Sequence, residues 1–498
     1  MRMFAACLAL LLTAAAEPPT QALTIALADD IDSLDPTIAR TYSSRIVFQG
    51  LCDKLFDIDE SLAIAPQLAL SYEQPTPTSL VLHLRPNVRF HDGTPLDAAA
   101  VGASLMRHLT LSGSTRRAEI SALAATEVID SLTLRLTLKS PSAPFLSQLT
   151  DRAGMVMEPR AAAAAEFAAH PVCAGPFRFT ERVAQDRIVL DRFDGYWDAA
   201  RIHFARVTYR PITNDAVRFT NLQAGAVTFV ERLAATDVAR ARADPHLAVQ
   251  VYDGLGYGSI TLNVANGPAA RTPFGQNPLV RRAFEAAIDR EALIQVVYNG
   301  MFTPVAQGIS RRSPFYNADL KPRPRDLVRA RALLAEAGVA LPVAVTLTMV
   351  NSPDQLQVGE VIQAMTAEAG FAVKVQAQEF ATALQAETRG DFQATAIGWS
   401  GRVDPDGNLY NGLHSNGPLN AAHYANPEVD AWLDQARLTA DLATRRALYA
   451  RVTTQVAADL PVLYLYGTAM VMGMDRRLAG FRPVPDGLVR LQDLVLNK

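Results

Sequence analysis

The sequence lacks any apolar run long enough to span a membrane as a permanent helix, since the run Met3–Leu12 is too short and no later segment reaches the required length. The nearest candidate, Leu460–Met474, is interrupted by Gly467 and Gly473, whereas a spanning helix needs about 18 or more consecutive apolar residues. Positive charge is not in excess either, since 47 lysines and arginines face 50 aspartates and glutamates, and no basic run is interleaved with aromatic residues. This balance predicts that nucleic acid is not a partner.

The signatures of common enzymes are also missing. No P-loop or dinucleotide-binding motif occurs, and the nearest approach to a nucleophile elbow, residues 398–402, lacks the second glycine at the required position. Asp404 and Asp406 lie two residues apart, whereas the paired carboxylates of glycosidases usually come from different elements. Neither His-x-x-x-His nor Cys-x-x-Cys spacing is present. The sequence therefore predicts no enzymatic activity, no metal site and no cofactor.

The N-terminus has the features of a secretory signal peptide. Arg2 precedes the apolar run Met3–Leu12, and small residues follow. We expect cleavage after Ala16 or Ala22 and export of the mature chain to the periplasm.

Cysteine is rare, with three residues in the whole chain. Cys7 lies in the predicted signal peptide, which leaves Cys52 and Cys173 in the mature protein. An oxidising compartment permits a disulfide between them, but their spacing carries no geometric information. Two alternatives therefore remain: a disulfide between the two cysteines, or two separately buried thiols.

The remaining composition, 49% hydrophobic and 19% charged over 498 residues, is typical of a globular protein with two or more domains. In the first half, residues 79–90 and 131–140 alternate between apolar and polar positions, which predicts two strands of one sheet with a helix at 96–109 between them. The second half changes pattern. Residues 341–399 predict a β-α-β-α-β unit, and hence a parallel sheet with right-handed crossovers.

Parallel sheets bind ligands at the carboxyl ends of their strands. The first strand of the predicted unit ends at Asn351 and Ser352, and the last one ends at Trp399, before the loop GRVDPDGN at 401–408. Both segments are therefore expected at the edge where a ligand binds. The alternative is a solvated loop in which the two aspartates form turns around Pro405.

Longer motifs occur in a fixed order along the chain. They are DSLDPTIARTYSSRIVFQGLCDKLFDID (32–59), LRPNVRFHDGTPLDAAAV (84–101), PVCAGPFRFTE (171–181), FDGYWD (193–198), NPLVRRAFEAAIDREALIQVVYNG (277–300), RARALLAEAG (329–338) and the Asp-Pro-Asp segment at 404–406. In content and order they resemble the extracytoplasmic solute-binding proteins of the peptide/nickel class, which deliver ligands to ATP-driven importers. The resemblance extends over nearly the whole chain after the signal peptide.

The resemblance implies an α/β fold with two lobes, mixed sheets, a hinge and a ligand cleft between the lobes. After the signal peptide at 1–22, the first lobe is expected to span 23–256 and to be completed by 472–498, with the second lobe at 257–471. The hinge is expected at two chain crossings, Gly254–Asn263 and Tyr464–Gly473, where glycines adjoin β-forming residues.

The implied function is the capture of a short peptide or peptide-like molecule by a monomer, which delivers it to the permease and ATPase subunits of an ABC importer. Other ligands of the class remain as alternatives: glutathione, opines, sugar conjugates, other polar solutes and metal chelates such as those of nickel.

The resemblance also implies site residues. In dipeptide-binding relatives the aspartate that matches Asp404 pairs with the ligand's ammonium group, and an arginine after the strand that ends near residue 350 holds the carboxylate. This chain has Asn351 and Ser352 at that position, so Arg402 becomes the candidate cation. The other candidate ligand-binding residues are Trp399 and Tyr257, as an apolar wall, and Tyr42. Asp406 is expected to cap the turn.

Overall fold

A mixed sheet of eleven strands runs through the protein, as seen in the computed structural model, which describes residues 21–498. The strands are β1 Ala22–Leu27, β2 Phe56–Ile58, β3 Ile64–Pro66, β4 Ala69–Thr76, β5 Ser79–Leu84, β6 Leu123–Asp130, β7 Thr133–Leu138, β8 Phe177–Val183, β9 Arg187–Arg192, β10 Arg206–Pro211, β11 Phe229–Val230, β12 Leu247–Leu262, β13 Thr303–Pro304, β14 Val343–Val350, β15 Phe371–Gln378, β16 Ala394–Ala396, β17 Val462–Asp475, β18 Leu478–Ala479 and β19 Val495–Leu496. The order in the large sheet is β15-β14-β16-β12-β17-β11-β1-β10-β9-β8, and β13 pairs with β17.

Helices cover the faces and ends of this sheet. They are α1 Tyr42–Leu51, α2 Ala98–Thr110, α3 Phe145–Gln148, α4 Pro159–Ala162, α5 Asp215–Gln223, α6 Val238–Ala243, α7 Pro273–Gln276, α8 Pro278–Ala287, α9 Arg290–Tyr298, α10 Leu327–Ala337, α11 Pro353–Ala367, α12 Phe380–Arg389, α13 Pro405–Leu413, α14 Pro427–Leu438 and α15 Leu442–Asp459. None of the described helices is long and apolar enough to cross a membrane. The predicted signal peptide lies outside the described residues except for its last two positions, since β1 begins at Ala22.

The alternating segments of the first half form the predicted pair of strands. In a separate sheet of order β4-β5-β7-β6, Leu82 of β5 lies opposite Leu134 of β7 in an antiparallel pair. Both leucines are fully buried, and α2 lies between the two strands in sequence, so this prediction is confirmed. The leucines on one face of each strand supply the apolar surface that α2 covers.

The β-α-β-α-β unit is also confirmed. Strand β14 pairs in parallel with β15 on one side and β16 on the other, with Leu347 opposite both Val375 and Ala394. Helix α11 begins at Pro353, because the first N–H groups of a helix have no partner within it and proline loses nothing by lacking one. After the helix, the chain turns at Gly370, which has a φ of 113°. The carboxyl ends of β14 and β16 thus lie side by side, as parallel strands require.

Two separate groups of hydrophobic clusters lie on either side of the sheet's middle. The buried members of three clusters come from residues 23–247 and 471–494, which we call the first body. The buried members of the other two come from residues 260–466, the second body. Among the described residues, only β12 and β17 run through both bodies as paired strands, so this part of the chain passes between the two cores twice.

A disulfide joins Cys52 and Cys173 within the first body, with their Cα atoms 5.0 Å apart. It links the end of α1 to the segment before β8. That segment comes so close that a Cβ on Gly175 would lie 2.5 Å from the carbonyl carbon of Leu51. Only glycine fits this approach. The disulfide decides between the two alternatives that the cysteine spacing left open.

Candidate functional site

A small cavity lies between the two bodies, beside the point where β12 passes from one to the other. The first body contributes Arg45, Asp151 and Asp486 to its lining, and the second contributes Arg402 and Asp404. The cavity has a volume of about 20 Å³, which is room for about one water molecule. In this arrangement the bodies are in contact across the cleft.

Side chains from both bodies make that contact. The guanidinium group of Arg45, on α1, donates a hydrogen bond to Ser400 Oγ at 3.2 Å. Arg402 Nε lies 3.3 Å from Asp151 Oδ2. A backbone bond adds to them, from Ala143 N–H to the carbonyl of Arg437 at 2.8 Å. These contacts span the cleft, and those of Arg45 and Arg402 lie at the cavity.

The segment expected as a loop at 401–408 contains the start of a helix instead. Helix α13 begins at Pro405, and Asp404 is its N-cap, with Oδ1 accepting from the N–H of Asp406 at 3.0 Å. The expectation that Asp406 caps the turn is therefore wrong, since the capping carboxylate is the one before the proline. Aspartate at the N-cap with proline next to it is a strong helix start, and the glycines at 401 and 407 concealed it.

Both aspartates of this segment already have cationic partners inside the second body. Asp404 accepts from Nη1 and Nη2 of Arg445 at 2.9 and 2.8 Å. Asp406 accepts from Nε and Nη2 of Arg437 at 2.5 and 2.9 Å. Paired, forked hydrogen bonds of this kind are among the strongest that a carboxylate makes. The role of Asp404 toward a ligand ammonium group stays a prediction.

Arg402 lies over the indole of Trp399. Its guanidinium carbon is 4.8 Å from the ring centroid, within the range of a cation–π interaction. The indole Nε1–H donates to Asn408 Oδ1 at 2.9 Å, which fixes the ring. The backbones of Trp399 and Tyr257 exchange two hydrogen bonds of 3.0 Å, so these two predicted wall residues are neighbours.

The other predicted residues lie further away. Tyr42, the first residue of α1, donates from its hydroxyl to the carbonyl of Asp486 at 3.2 Å. Asn351 is exposed at the end of β14, and Ser352 donates to Asp354 Oδ1 at 2.7 Å. Neither Asn351 nor Ser352 lines the cavity. The structure thus places Arg402 and Asp404 on the cavity, with Trp399 and Tyr257 beside them but outside its lining. The remaining three lie at the margins.

Among the first-body residues that line the cavity, Arg45 and Asp151 were not predicted from the sequence. Arg45 lies within a quoted motif but carries no local signal, and Asp151 lies in an irregular segment. Their hydrogen bond joins positions 106 residues apart. In the described part of the chain, no three or more His, Cys, Asp or Glu residues are arranged to hold a metal ion.

Comparison with known proteins identifies the family. Residues 63–420 match the family model of bacterial extracellular solute-binding proteins, family 5 Middle. The chain belongs to this family. The expected two-lobed α/β fold and the expected function, solute binding for an ABC importer, are confirmed.

A curated relative covers nearly the whole chain. The glutathione-binding protein GsiB of Pectobacterium atrosepticum is 30% identical over 492 residues, which are 95% of this chain and 94% of GsiB. Among solved structures, the periplasmic binding protein DppA of Helicobacter pylori, in complex with the peptide STSA, has a TM-score of 0.87 at 24% identity and covers 97% of this chain and 99% of its own.

The murein tripeptide binding protein MppA provides two comparisons. The Escherichia coli structure has a TM-score of 0.88 at 21% identity, covering 96% of this chain and 99% of its own. The unliganded open form of MppA has a TM-score of 0.70 and covers 96% of this chain and 97% of the MppA chain. The lower score for the open form agrees with the direct contacts between the two bodies seen here.

Proposed function

We propose that the protein captures a short peptide or peptide-like molecule in the cleft between the two bodies and hands it to the permease and ATPase subunits of an ABC importer. One observation carries this proposal: Arg402 of the second body meets Arg45 and Asp151 of the first at a shared cavity. Charged groups from both sides of a cleft provide the directional contacts that a small polar ligand needs. The alternatives within the family, an opine, a sugar conjugate or a metal chelate, would use the same cleft.

We place the hinge in the two strands that the bodies share. The pairing of β12 with β17 is irregular between Asp253 and Tyr257 and again between Gly258 and Ser259. These irregularities lie between the first and second cores and within the segment Gly254–Asn263 expected from the sequence. The cavity is too small for a peptide, so binding requires the bodies to separate, and a bulged strand pair is a suitable place for bending. The proposed lobes are 23–256 with 472–498, and 257–471.

We further propose that the mature protein works in the periplasm as a monomer, after removal of the signal peptide by cleavage after Ala16 or Ala22. The relatives named above are described as binding glutathione, a murein tripeptide or the four-residue peptide STSA. Glutathione is the first ligand to test because GsiB is called a glutathione-binding protein.

Native mass spectrometry of the protein, purified from the periplasm without unfolding, tests this function. We expect an added mass of a few hundred daltons or less that is released, chemically unchanged, on denaturation. Prolonged incubation with the released compound should leave it intact. Conversion of the compound in proportion to the protein would contradict the proposed binding role and favour an enzyme.

A further inference from the structure

One segment of the second body runs along the proposed hinge and contacts the first body at both of its ends. It comprises residues 299–312, which follow α9, and we call it the hinge strap. At its start, Asn299 Nδ2 donates to the carbonyl of Ala235 in the first body at 3.1 Å. At its end, Arg312 Nη2 donates to the carbonyl of Glu60, also in the first body, at 3.2 Å. The hinge strap therefore joins the bodies in addition to β12 and β17.

The start of the hinge strap is packed against both cores. Met301 and Phe302 pack against a hydrophobic cluster of the first body, and Phe302 also packs against a cluster of the second. The ring of Phe302 stacks on that of Tyr298, with the ring centroids 4.1 Å apart. Apolar packing is non-directional, whereas a hydrogen bond weakens steeply with distance and angle. We therefore expect this end of the strap to stay attached to the first body when the bodies rotate apart.

The middle of the hinge strap lies on the two hinge strands. Strand β13 pairs with β17, with Thr303 opposite Gly467. Further along, Gly308 passes close to both strands, since a Cβ on it would lie 2.9 Å from the ring of Tyr464 in β17 and 3.1 Å from the ring of Tyr257 in β12. The strap thus contacts β17 first and β12 afterwards, so it crosses the strand pair.

A second small cavity separates the hinge strap from the hinge strands. Its volume is about 30 Å³, room for about two water molecules, and it shares no lining residue with the charged cavity of the cleft. Beside it, Ser310 Oγ donates to the carbonyl of Gly254 at 2.9 Å, within the irregular part of the β12–β17 pair. The strap therefore contacts the strand pair where we place the bend, and the cavity leaves the strands space to move.

The loop that carries the far end of the hinge strap is fixed to the second body. Gln307, which is 1% exposed, donates from Nε2 to the carbonyl of Asn317 at 2.7 Å, and its Oε1 accepts from the N–H of the same residue at 3.1 Å. Phe315 is buried against Tyr449 of α15, with the ring centroids 5.5 Å apart. The end of the strap therefore moves with the second body, and its contact with Glu60 breaks when the bodies separate.

We propose that the hinge strap is a third element of the hinge and that its Arg312 end holds the bodies together when no ligand is bound. The proposal rests on the hinge of the proposed function and adds a conformational control to it. This control acts without touching the ligand, because none of the residues that line the charged cavity belongs to the strap. During opening, the start of the strap stays in place and the Arg312 end is released.

The hinge strap thereby sets the population of the closed form. A hydrogen bond with the net contribution typical of proteins shifts an equilibrium about two- to tenfold, and the bond from Arg312 to Glu60 is made in the closed form. A ligand that binds the closed form has an apparent affinity proportional to the fraction of protein already closed. Loss of the bond should weaken all such ligands by the same factor, whatever their chemistry.

Distance measurement by pulsed electron paramagnetic resonance tests the proposal without ligand. Spin labels are attached to Thr137→Cys in the first body and Gln435→Cys in the second, both at exposed positions, while the native cysteines are joined in the disulfide. After dialysis we expect two distances, the shorter one from the closed form. Arg312→Ala should lower the ratio of short to long distances about two- to tenfold. An unchanged ratio, or a labelled protein with only the long distance before substitution, would overturn the proposal.

Two further variants locate the effect. Arg311→Ala is the matched control, because it removes the exposed neighbouring arginine, for which no contact with the first body is seen among the described residues. It should keep the ratio of the unsubstituted protein. Ser310→Ala, which removes the bond to Gly254, should lower the ratio as Arg312→Ala does. Equal falls in Arg311→Ala and Arg312→Ala would indicate an effect of net charge and would overturn the role assigned to Arg312.

Addition of glutathione separates this proposal from the proposed function. If glutathione shortens the distance between the labels while Arg312→Ala leaves the ligand-free ratio unchanged, the hinge stands and the role of the strap is wrong. If a single distance persists in all variants, with and without glutathione, the bodies do not move, and the proposed hinge is wrong together with the strap.

Discussion

Both carboxylate oxygens of Asp404 are held by the guanidinium group of Arg445, at 2.8 and 2.9 Å, with both side chains buried in the second body. Asp404→Asn should therefore destabilise the unliganded protein by about 3–5 kcal/mol, because it leaves Arg445 without a counter-charge. Asparagine is as good an N-cap as aspartate, so the start of α13 should be preserved. Urea unfolding of the variant measures the loss.

The double variant Asp404→Asn/Arg445→Gln is the matched control. It removes both charges and should recover part of the stability that the single variant loses. An unchanged stability of Asp404→Asn, together with a large loss of ligand affinity, would instead support the role expected from the family resemblance, that of partner to a ligand ammonium group.

The acid response of stability should depend on Asp53. Burial raises the pKa of this carboxyl to about 7, against the hydrogen bond from Trp197. Because the pKa of Asp53 is raised in the folded protein, the contribution of this carboxyl to stability is fully present below the ordinary pKa of aspartate. That contribution is lost as the pH rises through 7. His91 and His108 act in the opposite direction, since burial lowers the pKa of each to about 4 and the unfolded chain takes up their protons first.

Asp53→Asn removes the contribution of the Asp53 carboxyl and leaves those of His91 and His108. Between pH 7 and pH 4.5 its free energy of unfolding should fall more steeply than that of the wild type, by on the order of a few kcal/mol over the range. Urea unfolding at several pH values measures the slope, which is independent of any constant cost of the amide. Parallel curves for the variant and the wild type would contradict the expectation.

The disulfide should stabilise the first body without affecting the ligand. Cys52 and Cys173 are 121 residues apart in sequence, and closing a loop of that length restricts the unfolded chain by about 4–5 kcal/mol in the entropic model. The variant with serine at both positions should lose about 2–5 kcal/mol of stability. Ligand affinity, measured by calorimetry below the unfolding transition, should stay within twofold, because neither cysteine contacts the cleft.

Ligand binding should be accompanied by a change in the compactness of the protein. The cavity seen here holds about one water, so the form that admits a ligand has the bodies further apart. Small-angle scattering should give a smaller radius of gyration at saturating ligand than after complete removal of ligand by dialysis. Equal radii in the two samples would indicate a rigid module and would exclude a hinge in β12 and β17.

Local rules predicted much of the fold. Asp326 caps α10 through the N–H of Arg329 at 2.9 Å, and Asn277 and Asn426 cap α8 and α14, as Asn-Pro and Asp starts indicate. The parallel order of β14, β15 and β16 follows from periodicity and crossover handedness. These features depend on residues close together in sequence, so the sequence specifies them directly.

The site was less accessible to sequence reasoning because its contacts are long-range. The partner of Asp404 lies 41 residues away and that of Arg45 lies 106 residues away. Nothing near Asp404 indicates that a buried arginine from α15 will neutralise it. Family resemblance pointed to the segment at 401–408, part of which lines the cavity, but the charges opposite it depend on how the two bodies meet.

The return of the chain to the first body has a consequence for the order in which the protein folds. Every buried member of the second core lies between residues 260 and 466, so this core is complete in the chain as soon as residue 466 has been synthesised. One cluster of the first body is already complete at residue 174, but another includes buried residues up to 494 and is complete only when residue 494 has been added. We therefore expect part of the first body, which begins the chain, to finish folding after the second body, since domains fold as their parts become available.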